Sequence, residues 1–174
     1  MNNMKKSLEE QSERMQEFNS EQITLHEKNK TEENLNRSVN KMIKEIIGKW
    51  DTNKHLLQRH IEKNTGFYKR CDYEDILKSV IRHVLENEYE NITEIDDGDY
   101  QGTLIFLFHE KTYQPNEQDY IVTTVSYGSC SYCDTLQSAQ DGDDEHFVSD
   151  IMTLALHLVQ NMKYLYTNED YEGA

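Results

Sequence analysis

From residue 31 onward the hydrophobic positions follow first one period and then another. Leu35, Val39, Met42, Ile43, Ile46, Ile47 and Trp50 recur every three or four residues, which predicts an amphipathic helix running to a break at Gly48-Lys49-Trp50-Asp51. Thr31, with Glu33 and Asn34 behind it, supplies an N-cap. Leu56, Leu57 and Ile61 mark a shorter helical piece that stops at Asn64-Thr65-Gly66. Asp72 then caps a stripe of Ile76, Leu77, Val80, Ile81, Val84 and Leu85. Beyond Gly98, which closes an acidic turn, the period changes. Tyr100 to His109 is dominated by β-branched and aromatic residues, the composition of a buried strand, and Pro115-Asn116 marks a turn. Tyr120-Ile121-Val122-Thr123-Thr124-Val125 reads as its antiparallel partner. After Asp143-Asp144, whose carboxylates suit a helix N-terminus, Phe147, Ile151, Leu154, Ala155, Leu158, Met162 and Leu165 share one stripe. The predicted class is α+β: N-terminal helices, a short antiparallel β-hairpin or small sheet with one face on helices, and a long C-terminal helix.

Residues 1–31 are too polar to build a core. Written in sevens, Met1, Leu8 and Met15 fall on one seam position and Met4, Phe18 and Leu25 on the other, with Gln11 and Gln22 in the remaining two seats. The expected organisation is a helical or disordered arm (1–31), a single α+β domain (32–168) and a frayed tail (169–174). A homodimer through the arm and capture of a partner helix are both compatible with that seam.

Charge divides the chain more sharply than hydropathy does. Residues 1–85 hold 16 Lys plus Arg against 14 Asp plus Glu, whereas residues 86–174 hold 2 against 19, so the balance moves from +2 to −17. Glu94, Asp96, Asp97, Asp99, Asp141, Asp143, Asp144 and Glu145 lie in this second half. Crowded carboxylates repel phosphates, which excludes direct nucleic-acid binding through that half, and they attract a basic protein surface. Solubility alone is the competing explanation. The loop Asp141-Gly142-Asp143-Asp144-Glu145 lacks the twelve-residue calcium pattern. The longest apolar run, Leu104 to Phe108, is far below the roughly 20 residues of a membrane span. The opening residues lack the apolar stretch of a signal peptide, and three cysteines suit a reducing compartment, so a cytoplasmic location is expected.

One short segment has chemical character. Tyr127-Gly128-Ser129-Cys130-Ser131-Tyr132-Cys133-Asp134 sets two thiols three positions apart. Cys130 and Cys133 can chelate zinc through a tight loop, but a closed site needs four ligands. Cys71, His109 and His146 complete one only if the fold assembles them. A thiol–disulfide centre needs a cation or helix N-terminus beside the thiol, whereas the nearest charge here is Asp134. The remaining reading is a structural loop, with small side chains allowing close backbone approach while Asp134 and Thr135 bond the turn. His55, His60 and His83 lie within or beside the helical stripes and read as surface or boundary residues. The 7 glycines form no phosphate loop, and neither a zinc-protease helix nor a nucleophile elbow occurs, so no enzyme is predicted.

Asp99-Tyr100-Gln101-Gly102 together with Tyr127-Gly128-Ser129-Cys130-Ser131-Tyr132-Cys133-Asp134-Thr135-Leu136-Gln137 resembles the signature of a family of small bacteriophage and mobile-element proteins, over roughly residues 96–140. Tyr132 stands where glycine is common in that family. The resemblance implies a phage-type origin, and with it a protein that acts by binding a basic host or defence protein, an RNA-guided nuclease of the CRISPR type being the sharpest candidate. The expected function is an acidic protein-binding inhibitor that works without a cofactor. The competing class is a small zinc-binding or thiol-active protein centred on Cys130 and Cys133.

Overall fold

The computed structural model describes Thr24 and residues 28–30, 41–86, 89–130 and 134–165. The heptad seam of the arm, the Thr31 start with Leu35 and Val39, the tail, and Ser131, Tyr132 and Cys133 lie outside the described residues. The chain divides into two units, Met1–Ser38 and Val39–Ala174. In the first, Thr24 and residues 28–30 are helical and exposed.

The second unit opens on helix α1, helical throughout residues 41–63. The expected break at Gly48 does not occur. Glycine inside a helix costs about 1 kcal/mol relative to alanine, less than is gained by burying the side chains on either side of it. Met42, Ile46 and Trp50 before or beside it and Leu57 and Ile61 after it are all buried on one face. Asn64 does end the helix, its N–H shared between the carbonyls of His60 and Ile61 at 3.1 Å each, and the short α2 (Thr65–Tyr68) follows. Helix α3 (Tyr73–Val80) begins at Asp72, which accepts from the Asp75 N–H while Asp75 reaches back to the Asp72 N–H, a reciprocal capping box. It continues as a π-helix over Ile81–Leu85. The whole predicted stripe from Ile76 to Leu85 is buried.

Among the described residues four antiparallel strands follow, in the order β1-β2-β3-β4. They are β1 (Tyr89–Asp96), β2 (Gly102–Glu110), β3 (Tyr120–Tyr127) and β4 (Lys163–Tyr164). The β2–β3 hairpin is the one the sequence predicts, with Gly102 opposite Tyr127 and His109 opposite Tyr120. Strand β1 is an addition. It carries a bulge between Glu90 and Thr93, where Asn91 takes a left-handed φ of 57° that an asparagine tolerates better than most residues.

Between β3 and β4 the chain forms α4 (Thr135–Asp141) and the 17-residue α5 (Asp144–Gln160). The described chain does not finish on this helix: Asn161 ends it, and β4 returns to pair with Ile121 and Val122. The core lies between one face of the sheet and the helices. Phe106 and Phe108 of β2 are fully buried there with Leu57, Ile61, Leu77, Val84, Ile151 and Leu158, each removal from water worth about 1.5–3 kcal/mol. Among the described residues no helix is long and apolar enough to cross a membrane.

Candidate functional site

Asp99-Tyr100-Gln101-Gly102 and the segment that begins at Tyr127, far apart in sequence, meet at one end of the sheet. Gly102 is the register partner of Tyr127, so the β1–β2 turn and the segment leaving β3 are neighbours. The turn closes through its carboxylates. Asp96 accepts from the Gly98 N–H at 3.0 Å, and Asp97 accepts from the Thr103 N–H while its own N–H donates to the Thr103 carbonyl at 3.3 Å. Gly98 and Gly102 touch backbone to backbone. A Cβ on Gly98 would lie 2.2 Å from the Gln101 carbonyl oxygen, and one on Gly102 would lie 2.9 Å from the Gly98 Cα. The Tyr127 hydroxyl reaches over this turn, 2.7 Å from Asp96 Oδ1 and 3.0 Å from the Gly98 carbonyl oxygen, sharing its one proton between them. Its pKa is pushed up to about 12, first by that bond to Asp96, then by partial desolvation and the neighbouring carboxylates. Tyr100, at the tip, is exposed, and so are Asp99 and Gln101.

Asp134 ties the other half down. Its carboxylate accepts from the Gln137 N–H at 2.8 Å as the α4 N-cap, from the Tyr73 hydroxyl at 2.9 Å, and from the Gly128 N–H at 3.3 Å. The Tyr73 oxygen in turn accepts from the Leu136 N–H at 3.2 Å. Burial chiefly raises the pKa of Tyr73, with the Asp134 carboxylate acting in the same direction. Asp134 therefore bonds the turn, as a structural loop requires, and joins three segments: the end of β3, the start of α4 and the start of α3. Nothing in the pattern around Tyr73 marks it as a partner of a residue 61 positions away.

The eight predicted docking carboxylates are all exposed. They fall into two groups by the elements that carry them. Glu94, Asp96, Asp97 and Asp99 belong to β1 and its turn, and Glu94 feels the charges of Glu74 and Asp72 of the α3 start. Asp141, Asp143, Asp144 and Glu145 lie at the α4–α5 junction, where Asp144 pairs with Lys69 and Asp143 caps α5 through the His146 N–H at 3.0 Å. The Asp143–His146 side-chain bond lowers the pKa of Asp143 and raises that of His146. Asp96, Asp97 and Asp143 thus hold local backbone in place, and Glu94, Asp99, Asp141 and Glu145 are the members whose charge is most available. Partial desolvation, and then Glu74, Asp72 and Asp96, hold the Glu94 carboxyl above its ordinary range.

The thiols and histidines named for metal or thiol chemistry lie in separate parts of the described structure. Cys130 is exposed, while Cys133 is outside the described residues. Cys71 is buried, its thiol donates to the Tyr68 carbonyl at 3.3 Å, and burial followed by Asp75 and Asp72 pushes its pKa up to about 12, far from a reactive thiolate. His109 lies at the opposite end of β2 from the Tyr127 segment, with Nδ1 2.8 Å from the Glu110 carbonyl oxygen. Among the described residues no three His, Cys, Asp or Glu side chains are grouped to hold a metal ion. Sequence reading treats His60 and His83 separately, yet their rings stack with centroids 4.3 Å apart, and His60 Nδ1 lies 2.9 Å from the Tyr68 hydroxyl. Burial first, then neighbouring positive charge, lowers the pKa of both.

Comparison with known proteins returns no match: no family model, no curated protein and no solved structure resembles this chain significantly.

Proposed function

We propose that this chain is a phage-type, acidic protein-binding module of the host cytoplasm that occupies a basic surface of a nucleic-acid-handling protein and so blocks it. The sharpest candidate target is an RNA-guided nuclease, whose channel carries the positive charge that nucleic acid would otherwise neutralise. The observation that carries this reading is the exposure of the eight named carboxylates, which are among the 19 of the −17 half. They remain at the surface, where their field steers a positive partner over about a Debye length. The mechanism is occupancy, with affinity and on-rate set by complementary charge.

The test is binding to a guide-free RNA-guided nuclease at 50 and 500 mM salt, with nuclease activity followed in parallel. Affinity is expected to fall by about tenfold or more across that range, and to fall similarly at fixed low salt when Glu94, Asp99, Asp141 and Glu145 are neutralised together. Affinity indifferent to salt and to those four substitutions overturns the reading. Stoichiometric zinc in tag-free protein, lost in Cys133→Ser, would favour the metal-centred class instead.

A further inference from the structure

The sheet's two borders are not equivalent, and the β1 border carries a recognition pattern. At the end of the β1–β2 pair the Asp97 N–H donates to the Thr103 carbonyl and the Thr103 N–H to the Asp97 carboxylate, and Ile95 faces Ile105 while Thr93 faces Leu107. Hydrogen-bonded pairs alternate along antiparallel strands. Positions 93 and 95 therefore spend their backbone groups on β2, and the N–H and C=O groups of Glu94 and Asp96 turn outward. Among the described residues no strand lies along that side.

The side chains alternate with the same period. Glu94 and Asp96 stand opposite Phe106 and Leu104, which face the helices, so both carboxylates are on the helix side, where Glu94 feels the charges of Asp72 and of Glu74, itself paired with Lys78 at 2.9 Å. Thr93 and Ile95 are on the other face, where Ile95 is 49% exposed next to Ile105 and Leu107. A strand added here meets carboxylates with every second side chain and apolar surface with those between. A second copy of β1 would bring carboxylates against carboxylates, so the border is protected against self-pairing.

We propose that the outer edge of β1 accepts an extended basic segment of the partner as a fifth strand, its alternating Lys or Arg side chains meeting Glu94 and Asp96 and its intervening apolar side chains covering Ile95. This rests on the docking reading above and names where on the acidic half the partner is held: backbone bonds to Glu94 and Asp96 supply affinity, and the alternation supplies register.

The probe is an acetylated and amidated eight-residue peptide of alternating Arg and Val, compared with the same peptide N-methylated at every backbone amide, which keeps the charges but cannot donate along either edge. The full-length protein is expected to bind the unmethylated peptide at least about tenfold more tightly, with slowed amide exchange at Glu94 and Asp96. Glu94→Lys should weaken it several-fold and shift preference toward an alternating Glu-Val peptide, while Lys163→Gln on the opposite border leaves binding unchanged. Equal binding of both Arg-Val peptides, with no exchange protection in β1, overturns the edge proposal. If that equal binding still falls with salt, charge docking survives without strand addition. Strand-specific protection with no salt dependence would instead keep the edge and remove the steering mechanism.

Discussion

The two borders of the sheet solve the same problem in opposite ways. On the β3 side the chain finishes its own edge: β4 pairs with Ile121 and Val122, the Leu165 N–H donates to the Tyr120 carbonyl at 2.9 Å, and Asn161 Nδ2 donates to the Thr124 carbonyl at 3.0 Å. Just inside, the buried Thr123 hydroxyl donates to the Leu158 carbonyl at 2.7 Å, satisfying one of the acceptors that the last turn of α5 would leave unpaired. The β1 side has no such closure among the described residues and relies on a bulge, carboxylates and a rigid turn. The difference teaches that an edge can be shortened by the chain's own later residues, the two-residue β4 forming the border on that side, or left long and lined with charge, and the second offers the longer run of backbone to another chain.

The largest effect is expected at the turn that holds β1 in register. Gly98→Ala sets a Cβ 2.2 Å from one backbone atom and 2.8 Å from another, neither of them the end of a flexible side chain. The cost should reach about 3 kcal/mol, the upper end for forced overpacking. Denaturant melts should show it, and amide exchange should accelerate along β1 and β2 while the α5–β3 contact keeps its protection. Uniform acceleration throughout the sheet would mean the borders are not independent.

Second comes the closed border. Thr123→Val keeps the shape but removes the donor to the buried Leu158 carbonyl, for a loss of about 1–3 kcal/mol. Asn161→Ala, at an exposed site, should cost about 0.5–1 kcal/mol and loosen β4 preferentially. A thermal melt with site-resolved exchange separates the two, since the first perturbs a buried contact and the second mainly the border.

These contacts also explain which parts of the fold were legible in the sequence. The α3 stripe was legible because its cap and its period both come from neighbouring residues. Strands β2 and β3 were legible for the same reason, being rich in β-branched, aliphatic and aromatic residues on either side of a turn with proline. Strand β1 was not: it offers only Ile92 and Ile95 as aliphatic residues, and the Asn91 bulge shifts the alternation between them. It exists because β2 supplies a partner. Likewise Leu165 fits the α5 stripe by spacing but lies beyond the helix and is 46% exposed, because β4 pairing turns the chain away. At the candidate site, the roles of Asp134 and of the two glycines rest on close approach that residue type hints at. The Tyr73 and Glu74 partners are set by tertiary folding, and no local spacing encodes them.

The smallest effect is also the one that bears most directly on the open border. Glu94 has a pKa raised above its ordinary 4.5, so the folded protein binds its proton more readily than the unfolded chain does. Stability at this residue is therefore greatest below that value and declines as pH rises through the raised one, leaving a small standing penalty at neutral pH. Glu94→Gln should remove the penalty: at pH 7 the variant should be slightly more stable than the parent, by less than about 0.5 kcal/mol as expected for an exposed charge. The advantage should vanish as the pH is lowered past 4.5, where both side chains are neutral. Paired melts at pH 7 and in that acid range read the difference directly. A variant less stable at pH 7 would show that Glu94 is stabilised where it stands and that the border is not electrostatically frustrated. The expected gain would instead identify a charge kept at a stability cost beside an unfilled strand position, a cost that an incoming cation would relieve.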